Sequence, residues 1–490
     1  MQIPFCGASY EGRSKNIDAS RSINFFPELS SDRASKTPLA LVGTPGCHAF
    51  ATLPQTPIRM TYTFDTRLFA VAGTGLYEVY SDGTYSASLG TVAYDVTDYR
   101  VSAADNGVSA SGVGGDQLCM VTSGNGYVLN ISTLAFAQIT DSNFPTDPKF
   151  VAYQDGHFIV TDGSMRCRVS ASFDGLTWPS LAFFAAWASA DSAQRPLSLH
   201  QEIFIIKRYT TEVYYNAGIS TDQGSPFVRR PGAVLDFGTA APWSVAKGAN
   251  TVFFLANQRS EDAGDLAGVM MMNGYAAEPI APVCINYRIQ QMSRIDDAFG
   301  YCYTSEGHTF YVLTFPTDDL TFVYDLATRM WHERSSYTTG IFRQRRHLSD
   351  SHTYCFGKHL VGHYASGKIL EMSTDFYDDD GEPIVSIRTA SPLYDDDDLD
   401  NIKIHGLTVD VEGGVGDGST NPSGTPQAWL SWSNDDGHTW SSEYSASMGK
   451  IGEYKAKLKW KRIGAPRNRV FQLRMPDKVK KVILGARVKT

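Results

Sequence analysis

Short apolar runs of four or five residues recur along the first three quarters of the chain. Each is followed by a Gly-rich or polar turn and a second run. The first runs begin at Leu68 (LFAVA), Leu118 (LCMVT), Phe158 (FIVTD), Ile203 (IFIIK), Val252 (VFFLA), Phe310 (FYVLT) and Leu360 (LVGHY). The second runs are LYEVY, YVLN, RCRVS, TEVYY, GVMMM, LTFVYD and KILEM. Runs this short, rich in β-branched and aromatic residues and bounded by turn formers, predict strands. Successive first runs start 40 to 58 residues apart. A repeat of roughly 40–50 residues is what one four-stranded propeller blade needs. The pattern predicts an all-β protein built on a β-propeller of six or seven blades; the competing fold is a large β-sandwich with long loops. One segment departs from it. Ile285, Ile289, Met292 and Ile295 share one helical face across INYRIQQMSRID, which predicts a helix on the rim of a blade.

Both ends of the chain read differently. Residues 1–55 lack the repeat and contain RSKNIDASRSINFFPE and SKTPLALVGTPG, where Thr44-Pro45-Gly46 marks a turn. They form an N-terminal extension or docking segment, and 56–399 the propeller. Residues 400–490 begin a new alternation, IKIHGLTVDVEGG and QAWLSWS, separated by the loop GGVGDGSTNPSGTP. They predict a small C-terminal antiparallel β domain.

That last domain holds two motifs back to back. Ser433, Asp435, Gly437, Thr439 and Trp440 form an Asp-box: a hairpin turn whose Ser and Asp side chains bond the turn backbone, with Gly at a bend closed to other residues and Trp packed beneath. A strand follows, with Lys455, Lys457, Lys459 and Lys461 on one face and Ala456, Leu458, Trp460 and Arg462 on the other.

Charge sharpens this asymmetry. Residues 450–490 carry nine Lys and five Arg against Glu453 and Asp477, a net +12, so the whole-chain charge of −9 leaves −21 for residues 1–449. Much of the acid is local: Asp375, Asp378, Asp379, Asp380, Glu382, Asp395, Asp396, Asp397, Asp398 and Asp400 fall within 26 residues. The seven cysteines are scattered and odd in number, as expected of reduced core residues in a chain folded in cytoplasm. No run of 18 apolar residues predicts a membrane span, and the N-terminus does not read as a secretory signal.

Candidate chemistry is thin. An Asp-box brings to mind sialidases and other sugar-cleaving propellers, but there it is a folding element on an outer turn. A shorter copy, Ser172-Phe173-Asp174-Gly175-Leu176-Thr177-Trp178, has the same structural sense. Of the three arginines a sialidase needs, only Arg59 is a candidate. His347, His352, His359 and His363 surround Cys355, but His359 and His363 on one strand stand about 13 Å apart, too far for one ion. Asp378-Asp379-Asp380-Gly381 lacks the alternating ligands of a calcium loop. No Walker loop, GxGxxG or GxSxG occurs. No catalytic, cofactor or metal residues are therefore assigned. The lysine strand lacks interleaved aromatics for base stacking and suits phosphate or protein carboxylates.

The order Asp-box, G-x-Y, then K-W-K-R-x-G-x-x-R-x-R-V-F over residues 433–471 resembles the C-terminal end of tail-hub proteins of short-tailed bacteriophages. These are nozzle proteins, also called packaged-DNA stabilisation proteins. The opening R-S-x-N-x-x-A…N-x-x-P-E followed by P-L-x-L-x-G-T-P-G resembles them too, as does SGKILEM…DDDGEPI near 366–384. The resemblance implies a non-enzymatic structural protein of the virion tail, assembled in the host cytoplasm. It implies a homo-oligomer, a hexameric ring below the portal and its adaptor ring, which retains packaged DNA and forms the exit channel. It also implies docking of tail fibres or spikes and passage of genomic DNA without sequence specificity. Within that frame Lys455, Lys457, Lys459 and Lys461 are expected to contact a neighbouring subunit or the adaptor. Asp378, Asp379, Asp380, Asp395, Asp396, Asp397 and Asp398 are expected at the lumen or an interface. The alternative is a glycan-binding or sialidase-like propeller acting in receptor recognition.

Overall fold

The structure is a computed structural model that describes residues 2–30, 37–109, 114–260, 264–339, 343–394, 401–414 and 425–490. Its contacts divide into two units. A central unit comprises Ala49–Pro279 and Ser349–Glu371, and a terminal unit comprises Met1–His48, Ile280–Leu348 and Met372–Thr490.

The central unit is a series of antiparallel meanders. Ile58–Phe64, Arg67–Ala72, Gly75–Val79 and Gly90–Thr91 form the first sheet, and Ser102–Asp105, Gln117–Thr122, Asn125–Asn130 and Phe136–Gln138 the second. Two more four-stranded sheets span Phe150–Ala185 and Ala193–Leu235, and a five-stranded one runs from Gly238 to Pro279. The predicted apolar runs are the inner strands of these sheets. Leu68, Phe69, Ala70, Val71 and Ala72 are all fully buried, because a strand with sheet on either side and neighbours above and below has no solvent face. The two segments of the unit meet in its last sheet. Ser349–Cys355 pairs with Lys358–His363, and Leu53 N donates to Gly367 O at 2.7 Å. Ala51 and Leu53 share a core with Ile58, Leu68, Leu360 and Ile369.

The terminal unit contains one further meander of the same kind: Phe299–Ser305, His308–Phe315, Leu320–Asp325 and Met330–Glu333. Among the described residues, seven such sheets are thus counted. The remainder of the unit is a β-sandwich. One of its sheets orders Phe25–Leu29, Leu39–Gly43, Val482–Lys489, Ile404–Val411 and Leu458–Gly464, with Gln2–Ile3 beside Val482–Lys489. The other carries Ala19–Ile23, Ser386–Thr389, Asn468–Met475, Gln427–Ser433 and Tyr444–Ser447. Their inner faces enclose Ile3, Phe5, Phe25 and Leu41 together with Leu407, Val409, Leu430, Trp460, Phe471, Leu473 and Ile483. Strands from the first 43 residues therefore complete the sandwich whose sequence signature lies after residue 400.

The helix is real but shorter than its pattern. It spans Val283–Gln290 and buries Cys284, Ile285 and Ile289; Met292 and Ile295 lie beyond its end. Asp318 explains the stop: its carboxylate accepts the backbone N–H groups of Ser293 and Arg294 at 3.0 and 3.2 Å, holding them outside a helical ladder. All seven cysteines are free thiols, five of them buried. No helix among the described residues is long and apolar enough to cross a membrane.

Candidate functional site

The Asp-box folds as its residue types require. Ser433 Oγ accepts the N–H groups of Asp435 and Gly437 at 3.2 and 2.8 Å and donates to Asp435 Oδ1 at 2.6 Å. Asp435 accepts Thr439 N at 2.8 Å and Thr439 Oγ1 at 2.6 Å. Those bonds, from Ser433 first and Thr439 next, hold the Asp435 carboxyl well below the usual carboxylate range. Gly437 sits at φ +91°, where a side chain is strained. Arg469 and Asn468 tie the turn to the next strand, Arg469 Nη2 bonding Asn434 Oδ1 at 2.9 Å and Asn468 bonding Asp436.

Trp440 corrects the expectation of an indole packed beneath the turn. It is 37% exposed and lies over Gly437, so that a Cβ there would stand 3.5 Å from Trp440 Cζ2. The shorter copy behaves in the opposite way. Trp178 is 1% exposed, donates from Nε1 to Gly175 O at 2.9 Å and meets Phe144 edge-on at 4.9 Å.

The lysine strand begins at Leu458, so Lys455 lies in the preceding turn and Lys457 just before the strand. Leu458 and Trp460 point into the sandwich core while Lys459 and Lys461 are exposed. Arg462 departs from the expected alternation. It takes φ +58° at a bulge, where Gly406 pairs with Lys461 but Ile404 with Gly464, and its side chain is exposed. The bulge restores Ile463 to the core.

Sheet register extends this face beyond what one strand shows. Thr408 pairs with Lys459 on one side and Arg487 on the other; Gly406 pairs with Lys461 and Lys489. Lys459, Lys461, Arg487 and Lys489 are all exposed. Two rows of cations, about 10 Å across, thus flank the strand Ile404–Val411, which carries one carboxylate, Asp410. None of the four has an ion-pair partner among the described residues. Arg487 and Lys489 escape sequence reading because they are brought beside the lysine strand by pairing, although the alternation ARVK hints at one exposed face.

The acidic run is less uniform than its composition. Asp378–Asp379 and Glu382–Pro383 form a hairpin, with Asp380 at φ +53° and Gly381 at φ +92°. Two successive positive φ values make the tight primed turn that Asp-Gly favours. Asp378 faces His48 Nε2 at 3.1 Å, and Glu382 accepts Thr339 Oγ1 at 2.6 Å. Asp379 is only 5% exposed, which corrects the placement of all three aspartates on an acidic surface; Asp378 and Asp380 alone reach solvent. Asp395, Asp396, Asp397 and Asp398 lie outside the described residues.

Two clusters with the look of catalytic machinery are structural. Arg59 is 2% exposed and spends its guanidinium on Tyr99 O at 2.5 Å, Gly73 O and Ala93 O at 2.7 Å, and Thr122 Oγ1 at 2.8 Å. Four of its five N–H donors are thus spent, and no pair is left to grip a substrate carboxylate. Lys207, fully buried, bonds Ala186 O, Ser189 O and Oγ, Asp191 and Glu212. It ties the 186–191 connection to the sheet Ala193–Leu235, and its ammonium is fully buried. The histidines divide as well: His352 Nε2 and His359 Nδ1 meet at 3.1 Å across paired strands, whereas His347 belongs to the other unit.

Comparison with known proteins agrees with this geometry. A sequence model of the phage stabilisation family, described as bacteriophage P22 Gp10, beta-propeller, matches residues 1–377. A second, described as bacteriophage P22 Gp10, beta-sandwich, matches residues 388–490. No curated protein matches the chain by sequence. Similar solved structures include the Pan2 WD40 domain of Neurospora crassa, 9% identical over 68% of this chain and 95% of that one, with a TM-score of 0.41. BamB of Moraxella catarrhalis is 11% identical over 68% of this chain and 97% of that one, with a TM-score of 0.38. YCF48 bound to a D1 peptide is 12% identical over 67% and 97%, with a TM-score of 0.40. Likenesses at this level carry no argument about function. The two family matches do: the chain belongs to the bacteriophage P22 Gp10 family of phage structural tail proteins.

Proposed function

We propose that the chain is the hub, or nozzle, of a short-tailed phage: one subunit of a six-membered ring below the portal and its adaptor. The ring retains packaged DNA, forms its exit channel and offers docking surfaces to fibres or spikes. The observation that carries this reading is the pair of family matches, which together leave only residues 378–387 between them. The basic sandwich face supports it. Four exposed cations without ion-pair partners among the described residues, on and beside the outer strand Leu458–Gly464, suit a neighbouring subunit or the adaptor. Excess carboxylate suits a channel wall, since DNA slides past negative charge but is held by lysines through counterion release. The glycan-cleaving alternative loses its one candidate arginine to the backbone bonds of Arg59. Particles assembled without this chain are expected to package DNA and then lose it, with DNA restored by supplying the chain in trans. Full retention without it would refute the reading.

A further inference from the structure

Three residues distant in sequence converge inside the terminal unit. Cys47 Sγ, a ring nitrogen of His347 and a carboxylate oxygen of Asp379 lie within 4.8 Å of one another. Cys47 is fully buried, His347 3% and Asp379 5% exposed. The backbone sets them in place. Cys47 and Asp379 are paired in parallel register, Asp380 N donates to Cys47 O at 2.6 Å, and His347 N donates to Thr321 Oγ1 at 3.0 Å.

A second, independent observation points to a missing ligand. Asp379 Oδ1 is buried with no hydrogen-bond partner among the described residues. Leaving a buried carboxylate oxygen unpaired costs about 1–3 kcal/mol, and native proteins rarely tolerate it without an ion or water to fill the place. Arg334 and Lys481 are the cations that face Asp379. Lys481 donates to Ile384 O and Arg334 Nη2 to Tyr303, while Arg334 Nε is itself buried without a hydrogen-bond partner among the described residues.

We propose that Cys47, His347 and Asp379 bind a zinc ion. The ligand set decides the metal. Thiolate, imidazole and carboxylate suit a borderline-soft ion, whereas calcium and magnesium take oxygens alone. Ligands about 2.0–2.3 Å from a tetrahedral zinc stand about 3.5 Å apart, so atoms gathered within 4.8 Å need only small side-chain shifts. Three protein ligands leave a fourth position for water. Binding forms Zn–S, Zn–N and Zn–O bonds and sends the Cys47 thiol proton, with any proton on Asp379, to solvent. Thiolate and carboxylate then balance the two charges of the metal. Without metal, burial pushes the Cys47 thiol well up, with Asp379 adding to it, so the pocket holds a neutral thiol. The ion would fasten strand Gly46–Thr52 at Cys47 to the Asp378–Asp379 hairpin and to His347, residues 332 and 300 positions further along the chain. The inference is independent of the tail-hub reading.

Elemental analysis of the purified full chain, after dialysis against zinc and then metal-free buffer, tests it. About one zinc per chain is expected, and a cobalt-loaded sample should show the intense near-ultraviolet thiolate-to-cobalt band of a Cys-ligated site. Cys47→Ser and His347→Gln should each lose the metal, and Cys47→Ser the band, while Cys119→Ser, at a buried thiol of the central unit, should keep both. Should the Cys47 variant fail to fold, the wild-type band and its loss to chelator still decide. Absence of zinc and of the cobalt band from the folded wild-type chain, or a band that survives Cys47→Ser, would overturn the proposal.

Discussion

Arg21 grips Glu333 in parallel bonds across 312 positions of sequence, Nε to Oε1 at 2.8 Å and Nη2 to Oε2 at 2.7 Å. Arg288 completes the clasp with Nη1 to Oε1 at 2.7 Å. The neighbouring Asn24, at φ +56°, bonds Ser335 and Val385. The conspicuous N-terminal stretch SRSIN thus serves to fasten the first strands of the terminal unit to its meander and sandwich.

The clasp makes stability pH-dependent. Burial alone would raise the Glu333 carboxyl, but Arg21 and then Arg288 outweigh it and bring its pKa from 4.5 down to about 2. A carboxylate depressed on folding contributes stability that is complete above pH 4.5 and is lost as pH falls toward 2. The contribution is on the order of 3 kcal/mol. Urea melts of wild type and Glu333→Gln should differ by about that much at pH 7 and converge as pH drops below 4.5. A gap that stays constant down to pH 3 would remove the clasp from the account.

The two tryptophans at Asp-box turns should separate in folding cost. Trp178→Ala, at a buried indole, is expected to lose about 3–5 kcal/mol. Trp440→Ala, at a side chain 37% exposed, should lose about 1 kcal/mol or less. Thermal melts of the two variants make the comparison, and equal losses would contradict the geometry. Gly437→Val should cost more than Trp440→Ala, because φ +91° is closed to a β-branched residue.

Arg59→Ala should act on folding, not on catalysis. It orphans the carbonyls of Gly73, Ala93 and Tyr99, for a loss of at least about 3 kcal/mol. A stable Arg59→Ala chain accompanied by loss of a sialoside-cleaving activity would favour the enzyme reading instead.

Reversing Lys459 and Lys461 to Glu should leave the melting temperature of the isolated chain within a few degrees, since both side chains are exposed. Assembly into tails should weaken, most at low salt where screening is least. Arg487→Glu should act in the same direction, because register places it across Thr408 from Lys459. Normal assembly of all three variants would free this face from any role in the ring.

Much of the fold is legible in the sequence because inner strands announce themselves. LFAVA, LCMVT and IFIIK are too short and too β-branched or aromatic for helices, and each sits in the middle of its sheet. Outer strands such as Gly90–Thr91 and Phe136–Gln138 are short and half-exposed, so no apolar pattern marks them. The bulge at Arg462 was hidden, since alternation alone assumes an unbroken pleat. Contacts between distant segments leave no local trace. Cys47, His347 and Asp379 belong to three unrelated stretches, and the acidic run around Asp379 reads as solvated although pairing with Cys47 buries one of its members.

The most direct test of the central claim is an image of the phage tail at a resolution that counts subunits around its axis. The account predicts six copies of this chain in a single closed ring beneath the portal and adaptor, with the Lys459–Lys461 face turned to a neighbour. Copies found instead as separate receptor-binding appendages, with an open glycan pocket and no ring around the channel, would contradict it.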